Sequence, residues 1–380
     1  MKGFVEFFAG VGLVREGLSS CGWTCLLAND ISEDKQETYI KNYGDVDFKL
    51  GDVWDLAKSP DDIPNAFLYT ASFPCTDLTV AGSQAGLAGE ASGTLNAVIE
   101  IIRSKRDQGN HPSVVLLENV RGFLSSHKGQ DILNTVKLFN DLGYHVDILD
   151  LDAIDFSAQS RPRIFLIAVE SELANNFMTT SDSVKVWNEK LLNNSKVRPK
   201  RIKDIFSKNK ELKWAEFDIT PPVPSNTYLS DIVDTSIDSS SNLWWSKDRK
   251  EYLYNQMNPK HRNLLADLCS GTTNSYATVF RRMRNGQSMA ELRVDGFAGC
   301  LRTPRGGSSK QILIEACNGA WNVRLLSPRE YARLQGVRDS YILPSNDNKG
   351  YFAMGDAVCV PVIEYLAKNV INPIYNHYHK

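Results

Sequence analysis

The chain has 380 residues, 42% of them hydrophobic and 23% charged, with a formal net charge of −2 at pH 7. That length accommodates one large domain or a large and a small one, and the composition is that of an ordinary globular protein. The charge balance does not advertise a nucleic-acid partner, yet a local basic face suffices for one, so it excludes none. Seven cysteines without a C-x-x-C or a Cys/His cluster point to a reducing compartment and against a disulfide framework or a metal site. Glu6 interrupts any signal-peptide pattern, and no apolar run approaches bilayer length. A cytoplasmic protein is expected.

In chain order, Phe4-Val5-Glu6-Phe7-Phe8 reads as a strand running into Ala9-Gly10-Val11-Gly12, and a helix follows from Leu13 to Ser20. Strand, glycine turn and helix open a nucleotide-binding βαβ unit. The next strand, Thr24 to Ala28, ends in Asn29-Asp30. Asp30 lies about 20 residues past the turn, where a carboxylate accepts from ribose hydroxyls. The third glycine of the dinucleotide fingerprint would fall at Arg15, so a nucleoside ligand without a pyrophosphate fits better. In Leu50-Gly51-Asp52-Val53 a second acid follows a short strand. It either faces a ligand or caps a helix beginning near Trp54.

Ala66-Phe67-Leu68-Tyr69 reads as a buried strand that stops at Pro74, and Cys75 comes directly after, followed by Thr76, Asp77 and Thr79. Loops after strand carboxyl ends are where open α/β sheets bind ligands. A thiol there is a candidate nucleophile, with a buried structural cysteine as the alternative. A helix from Leu95 to Arg106 precedes the apolar strand Ser113 to Leu117, which ends in Glu118-Asn119-Val120. A carboxylate in that position is costly unless paired, protonated or functional. After a helix from Asp131 to Leu142 and a strand from His145 to Leu151 comes Gln159-Ser160-Arg161-Pro162-Arg163, then the strand Ile164 to Val169. Were this segment extended, Gln159, Arg161 and Arg163 would share one face, suited to an oxygen-rich ligand.

From Ser171 to about Asn322 apolar periodicity weakens, and two basic groupings appear: Lys196 to Lys213, and Arg281, Arg282, Arg284, Arg293, Arg302 and Arg305. Interleaved with Trp214, Phe280 and Phe297, they read either as solvated surface or as a phosphate-binding face. The loop Leu301 to Gln311 looks built for contacts, with Arg302, Thr303 and Arg305 as candidates for groove or phosphate. Ser327 and Pro328 read as the cap and first position of a helix that Gly336 closes. Gly355-Asp356-Ala357-Val358 and a helix from Val362 to Asn369 end the pattern.

In this order the motifs resemble the cytosine-5 methyltransferase family, whose members move a methyl group from S-adenosylmethionine to carbon 5 of cytosine. The matching stretches are Phe7-Phe8-Ala9-Gly10-Val11-Gly12, Asp30, Gly51-Asp52-Val53, Phe73-Pro74-Cys75, Glu118-Asn119-Val120, Gln159-x-Arg161-x-Arg163, Arg329 to Gly336 and Gly355-Asp356-x-Val358. The resemblance implies an α/β fold: a Rossmann-like methyltransferase sheet with a second, smaller and irregular target-recognition domain. It implies S-adenosylmethionine bound by Phe8, Ala9, Gly10, Gly12, Asp30, Ile31, Asp52, Val53, Pro74, Asp356 and Val358, and no metal. Cys75 would be the nucleophile on C6, Glu118 the acid at N3 and Arg163 the group polarising O2, with Arg161 beside it. Thr79, Gln159, Arg302, Thr303 and Arg305 would meet duplex DNA, from which the target cytosine is flipped out. Two positions depart from the family pattern: Asp356 stands where Asn is usual, and Ile31 where an aromatic residue is frequent.

The domain boundaries expected are 1–170 for catalysis and cofactor, 171–326 for target recognition, and 327–380 returning a terminal helix to the first. A monomer acting on double-stranded DNA is expected, with a restriction endonuclease encoded nearby. The alternatives are a tRNA cytosine-5 methyltransferase of the same fold, a catalytically silent DNA-binding relative and a nicotinamide oxidoreductase. Arg15 at the missing glycine counts against the last.

Overall fold

In the computed structural model the residues described are 2–74, 92–177, 196–217, 219–238, 240–284, 286–303 and 310–379. Cys75, Thr79 and Arg305 lie outside them. The chain divides into two compact units, one of Met1–Leu151, Pro162–Pro222 and Val362–Lys380, the other of Asp152–Arg161 and Val223–Pro361.

The first unit is built on a seven-stranded sheet. Its strands are β1 (Gly3–Phe7), β2 (Thr24–Asp30), β3 (Phe48–Leu50), β4 (Leu68–Ala71), β5 (Val114–Val120), β6 (Tyr144–Asp152) and β7 (Pro162–Glu170), in the order β3-β2-β1-β4-β5-β7-β6. β1 pairs in parallel with both β2 and β4, and β4 with β5, whereas β7 runs antiparallel to β5. The apolar runs Phe4 to Phe7, Val114 to Leu117 and Ile164 to Val169 are buried along their length, as strands covered on both faces require. Helices α1 (Leu13–Ser19), α2 (Glu33–Tyr43), α3 (Val53–Lys58), α4 (Leu95–Asp107) and α5 (Gln130–Asp141) fill the connections. The strand order reverses between β1 and β4, which places a crevice at their carboxyl ends.

Residues 196–217, which the composition groups with the middle of the chain, belong to this unit. Ile202 and Phe206 enter its core, Trp214 bridges to Val146, and the buried Arg198 donates to Asp147 through Nε at 3.0 Å. The C-terminal helical run also lies here and continues past Asn369 to Tyr378. A wider turn over Ala367–Ile371 precedes Pro373, whose missing N–H and bulky ring would interrupt an unbroken α-helix. Asn372 accepts from the Trp23 indole at 2.8 Å, and Tyr375 meets the rings of Trp23 and Phe67 edge-on.

The second unit is more regular than its sequence texture. It holds a four-stranded sheet, β8 (Ser275–Arg284), β9 (Gln287–Arg293), β10 (Ile312–Cys317) and β11 (Ala320–Leu325), in the order β11-β10-β8-β9, with every pairing antiparallel. Ala277 and Val279 alternate inward and join Leu253, Met257, Leu265 and Ile314 in a core under the helices Lys247–Asn255 and Pro259–Cys269. The alternation is two-residue and half polar, so it does not stand out as an apolar run.

Within this unit the stretch from Arg329 to Gly336 is structural. Ser327 caps the helix Pro328–Leu334, and Glu330 returns to the Ser327 amide at 2.6 Å in a capping box. The same carboxylate takes both terminal nitrogens of Arg324, each at 2.7 Å, and the amide of Asp234 at 2.8 Å. Arg324 and Glu330 are 1% and 0% exposed. Removing one member of such a pair strands the other charge in a dry interior. Glu330→Ala is therefore expected to lower the stability of this unit by about 3–5 kcal/mol. Denaturant unfolding followed by tryptophan fluorescence measures it, and a loss under about 1 kcal/mol would mean that the pair is not what holds the helix.

Candidate active site

The residues singled out in the sequence fall into two groups, one in each unit. In the first unit they gather at the carboxyl ends of the parallel strands. β1 runs into a turn in which Phe8, Gly10 and Gly12 have φ of 57°, 58° and 84°. At Gly12 a side chain is excluded twice, by that left-handed φ and because a Cβ would lie 2.5 Å from the Tyr43 ring. At Gly10 a Cβ would meet nothing within 4 Å, so the turn is open above it. Asp30, at the end of β2, accepts the Gly10 amide at 2.8 Å on one carboxylate oxygen and the Ser32 amide at 2.9 Å on the other. Its neighbour Asn29 donates to the carbonyls of Lys49 and Gly51 at 3.0 and 2.9 Å, which draws the Asp52 turn to the same edge. Asp52 caps α3 by accepting from Trp54 at 2.9 Å, and Val53 is buried beneath it. Ile31 and Trp54 stay well exposed there, so apolar surface stands beside two acids. An open glycine turn, carboxylates with lone pairs left over and an apolar flank fit a nucleoside with hydroxyls to bind.

Under this turn lies a buried polar group that sequence reading passed over. Glu6 is 2% exposed, and one of its carboxylate oxygens has no hydrogen-bond partner among the described residues. Burial pushes its pKa up to about 8, Arg15 pulls it down and Asp30 pushes it further up. Arg15 stacks against Tyr43, donates to the Tyr39 hydroxyl at 2.8 Å and pairs with Asp47 at 3.1 Å.

The second part of the edge joins β4, β5 and β7. Asn119 donates to the Phe73 carbonyl at 3.2 Å, so the end of β5 holds the Phe73-Pro74 segment that leads to Cys75. Glu118 and Val120 share a face of β5, and Arg163 sits opposite Val120 in the antiparallel register. The Arg163 Nε is 2.9 Å from a Glu118 carboxylate oxygen, with side chains 16% and 12% exposed. Beside them Arg121, just past β5, reaches the buried Asp150 of β6 with its Nε at 2.8 Å from both oxygens. Its place next to Glu118-Asn119-Val120 was the available signal for it.

Gln159 and Arg161 belong to the second unit, Arg163 to the first. The strand begins at Pro162, and Gln159 just before it forms an isolated bridge with Ala298. Gln159 is fully buried, donates to the Leu334 carbonyl at 2.9 Å and accepts from the Leu301 amide at 3.3 Å. Arg161, 3% exposed, donates to the carbonyls of Leu301 at 2.8 Å, Gly355 at 3.1 Å and Ala357 at 2.8 Å. In both, the hydrogen bonds just named run to backbone groups of the same unit. They shape the turn carrying the exposed Asp356 and the buried Val358, and Gln335 supports it by donating to Met354 at 2.7 Å. Gly355 lies against the backbone of Arg302 and Thr303, so close that a Cβ would be 2.6 Å away. Arg302 rests over the Phe280 ring, 5.4 Å from its centre.

A sheet of this order with this edge defines a nucleotide-binding α/β enzyme fold. The chain belongs to the C-5 cytosine-specific DNA methylase family, whose model matches residues 3–372. Among curated relatives, the Type II methyltransferase M.HpaII of Haemophilus parainfluenzae is 27% identical over 382 residues, which cover 99% of this chain and 90% of the relative. M.HhaI of Haemophilus parahaemolyticus, also a Type II methyltransferase, is 25% identical and covers 97% of this chain and 93% of its own. Among solved structures, the Dnmt2 methyltransferase of S. pombe superposes with a TM-score of 0.63 at 17% identity over 98% of this chain and 99% of its own, a likeness of fold.

Glu6 makes the turn pH-sensitive. Between the ordinary carboxylate value of 4.5 and about 8 the folded protein keeps a proton that the unfolded chain releases. Stability therefore falls as pH rises through that window. Glu6→Gln is expected to flatten the fall, read as melting temperature against pH. Parallel curves for parent and variant would show that Glu6 does not titrate there.

Proposed function

We propose that the protein is a DNA cytosine-5 methyltransferase that methylates a cytosine flipped out of duplex DNA. The observation that carries this is the Glu118–Arg163 pair at the end of β5, beside the Asn119-held segment leading to Cys75. S-adenosylmethionine, when bound, supplies an electrophilic methyl group.

The residues of the chain divide the remaining work. Cytosine C5 is a weak nucleophile until a thiolate adds to C6, which moves electron density onto C5; Cys75 is the residue for that addition. Glu118, carrying a proton, donates to N3, and Arg163 donates to O2, so charge developing in the ring meets two fixed donors. After methylation a base takes the C5 proton and the Cys75 sulfur leaves, restoring the aromatic ring. Asp30 holds ribose hydroxyls, and the open turn over Gly10 leaves room for the sulfonium end of the ligand. Asp52, Ile31 and Val53 flank the adenine. Arg161 and Gln159 act as positioning residues for the Gly355–Val358 turn. The second unit chooses the DNA sequence, with Arg302, Thr303 and Arg305 toward the duplex. The Type II names of the relatives support a restriction-modification setting, in which a neighbouring gene encodes the endonuclease.

Incubation with labelled S-adenosylmethionine and either duplex DNA or tRNA tests the reading: label is expected in cytosine of the duplex. Label in tRNA alone would favour the RNA branch of the fold, and no label in either a silent relative. Cys75→Ser is expected to abolish transfer while duplex binding survives, because a hydroxyl is scarcely ionised at neutral pH. Glu118→Gln should slow turnover by about 10²-fold or more, since an amide is too weak an acid to give up its proton in the transition state. A Cys75→Ser enzyme that still turns over would end the covalent mechanism. Asp30→Ala should weaken S-adenosylmethionine by about 1–3 kcal/mol. Calorimetry that finds the affinity unchanged would remove Asp30 from the cofactor site.

A further inference from the structure

The arginines of the second unit are not equivalent. Arg282 and Arg284 share Glu291 at 3.4 and 3.1 Å, and Arg293 holds Asp295 at 2.7 Å. Arg281, between them in sequence, has neither an ion pair nor a hydrogen bond to its side chain among the described residues, and its Nε is buried without a partner. It continues the inward row of Ala277 and Val279 on β8, so it lies on the sheet face that the helices cover, at the end of the apolar core. There it meets Trp245, its guanidinium carbon 5.8 Å from the ring centre. A second guanidinium, that of Arg249 from the helix Lys247–Asn255, stacks on the same ring at 3.8 Å. Its side chain too has no carboxylate and no hydrogen bond among the described residues, although Asp248 and Glu251 lie on its own helix.

Two arginines against one indole, with no acid between them, form an incomplete arrangement. Stacking on tryptophan holds each fork in place but leaves its N–H groups unsatisfied. Burial and the charge of Arg281 both lower the pKa of Arg249, the direction expected of like charges lacking a counter-ion. An oxyanion with several acceptor oxygens satisfies both forks and cancels their repulsion, and phosphate matches that geometry. Trp245 is itself fixed, because its amide donates to Val323 of β11 at 2.8 Å. We propose that Trp245, Arg249 and Arg281 form a phosphate site that grips the backbone of duplex DNA. The inference rests on the DNA reading above. It adds an anchor that carries no sequence information, since a phosphate contact sets register and affinity while base edges decide specificity.

The test measures binding of a labelled random-sequence duplex across a salt series for the parent, Arg249→Gln, Arg281→Gln and the double variant. Arg282→Gln, which breaks a pair with Glu291, is the control. Each single variant is expected to weaken binding. The double variant should lower the slope of log affinity against log salt by about 0.9, the value of one phosphate on B-form DNA. The cytosines labelled on a plasmid should stay the same ones, because no base contact is lost. Arg249 is exposed, so its substitution alone decides the matter should Arg281→Gln fail to fold. A parent that binds duplex with a salt slope that both Arg249→Gln and the double variant share overturns the phosphate site and leaves the DNA reading standing. A parent that neither binds nor methylates duplex overturns both. Competition of inorganic phosphate for these arginines without any change in the duplex slope would mark a free-ion site and overturn the proposal.

Discussion

A parallel ladder must stop somewhere, and at its carboxyl ends the backbone groups of each following loop need new partners. In this protein the neighbouring strand supplies them from the side chain at its own end. Asp30 of β2 holds the Gly10 amide after β1, Asn29 holds the Lys49 carbonyl in β3 and that of Gly51 just after it, and Asn119 of β5 holds the Phe73 carbonyl after β4. Each candidate loop is thus pinned by a polar residue one strand away. The same residue type that satisfies the backbone also leaves lone pairs and donors facing outward. A site emerges at this edge because the fold has to finish its hydrogen bonds there.

Much of that edge was legible because its requirements are local. A left-handed turn favours glycine, so Gly10 and Gly12 were visible though Phe8 at φ 57° was not, and a buried strand demands an apolar run, so Glu118 at the end of one stood out. Asp52 had two readings, and the cap is the one seen, which leaves its outer oxygen available. Contacts between distant segments were not legible. Spacing shows Gln159 and Arg161 as candidates, but not their hydrogen bonds to Leu301, Leu334 and the Gly355 turn, which come from segments about 140 to 195 residues further along the chain. Residues 196–217 carry a basic texture, yet Ile202 and Phe206 supply enough apolar surface to seat them on the sheet unit.

The stretch from Arg329 to Gly336 shows how a motif can mark a family without touching chemistry. Glu330 serves the Ser327 amide, the Asp234 amide and Arg324 with one buried carboxylate, and Gly336, at φ 74°, lies where a Cβ would be 2.3 Å from Pro361. Each residue type answers a geometric demand that no substitute meets in the same space. Glu118 differs in kind. Its ion-pair partner among the described residues is Arg163 at the rim, and both side chains retain some exposure, so a ligand can compete for either. The partners of Glu330 lie inside the unit, whereas that of Glu118 stands at the rim.

Net charge was the least informative number in the sequence, for the same reason. The near balance of 43 basic and 45 acidic side chains is what pairing produces, and pairing is local. On β8, Arg282 and Arg284 share one glutamate of the adjacent strand. Arg281, a single position away, projects to the other face, where it meets Trp245 and Arg249 and, among the described residues, pairs with no carboxylate. Since alternate residues of a strand face opposite ways, a run of consecutive arginines does not make one basic patch; it splits into two, which differ in whether an acid stands opposite. The face without the acid is the one left to be completed by something from outside the chain, and only the paired register of β8 and β9 shows which face that is.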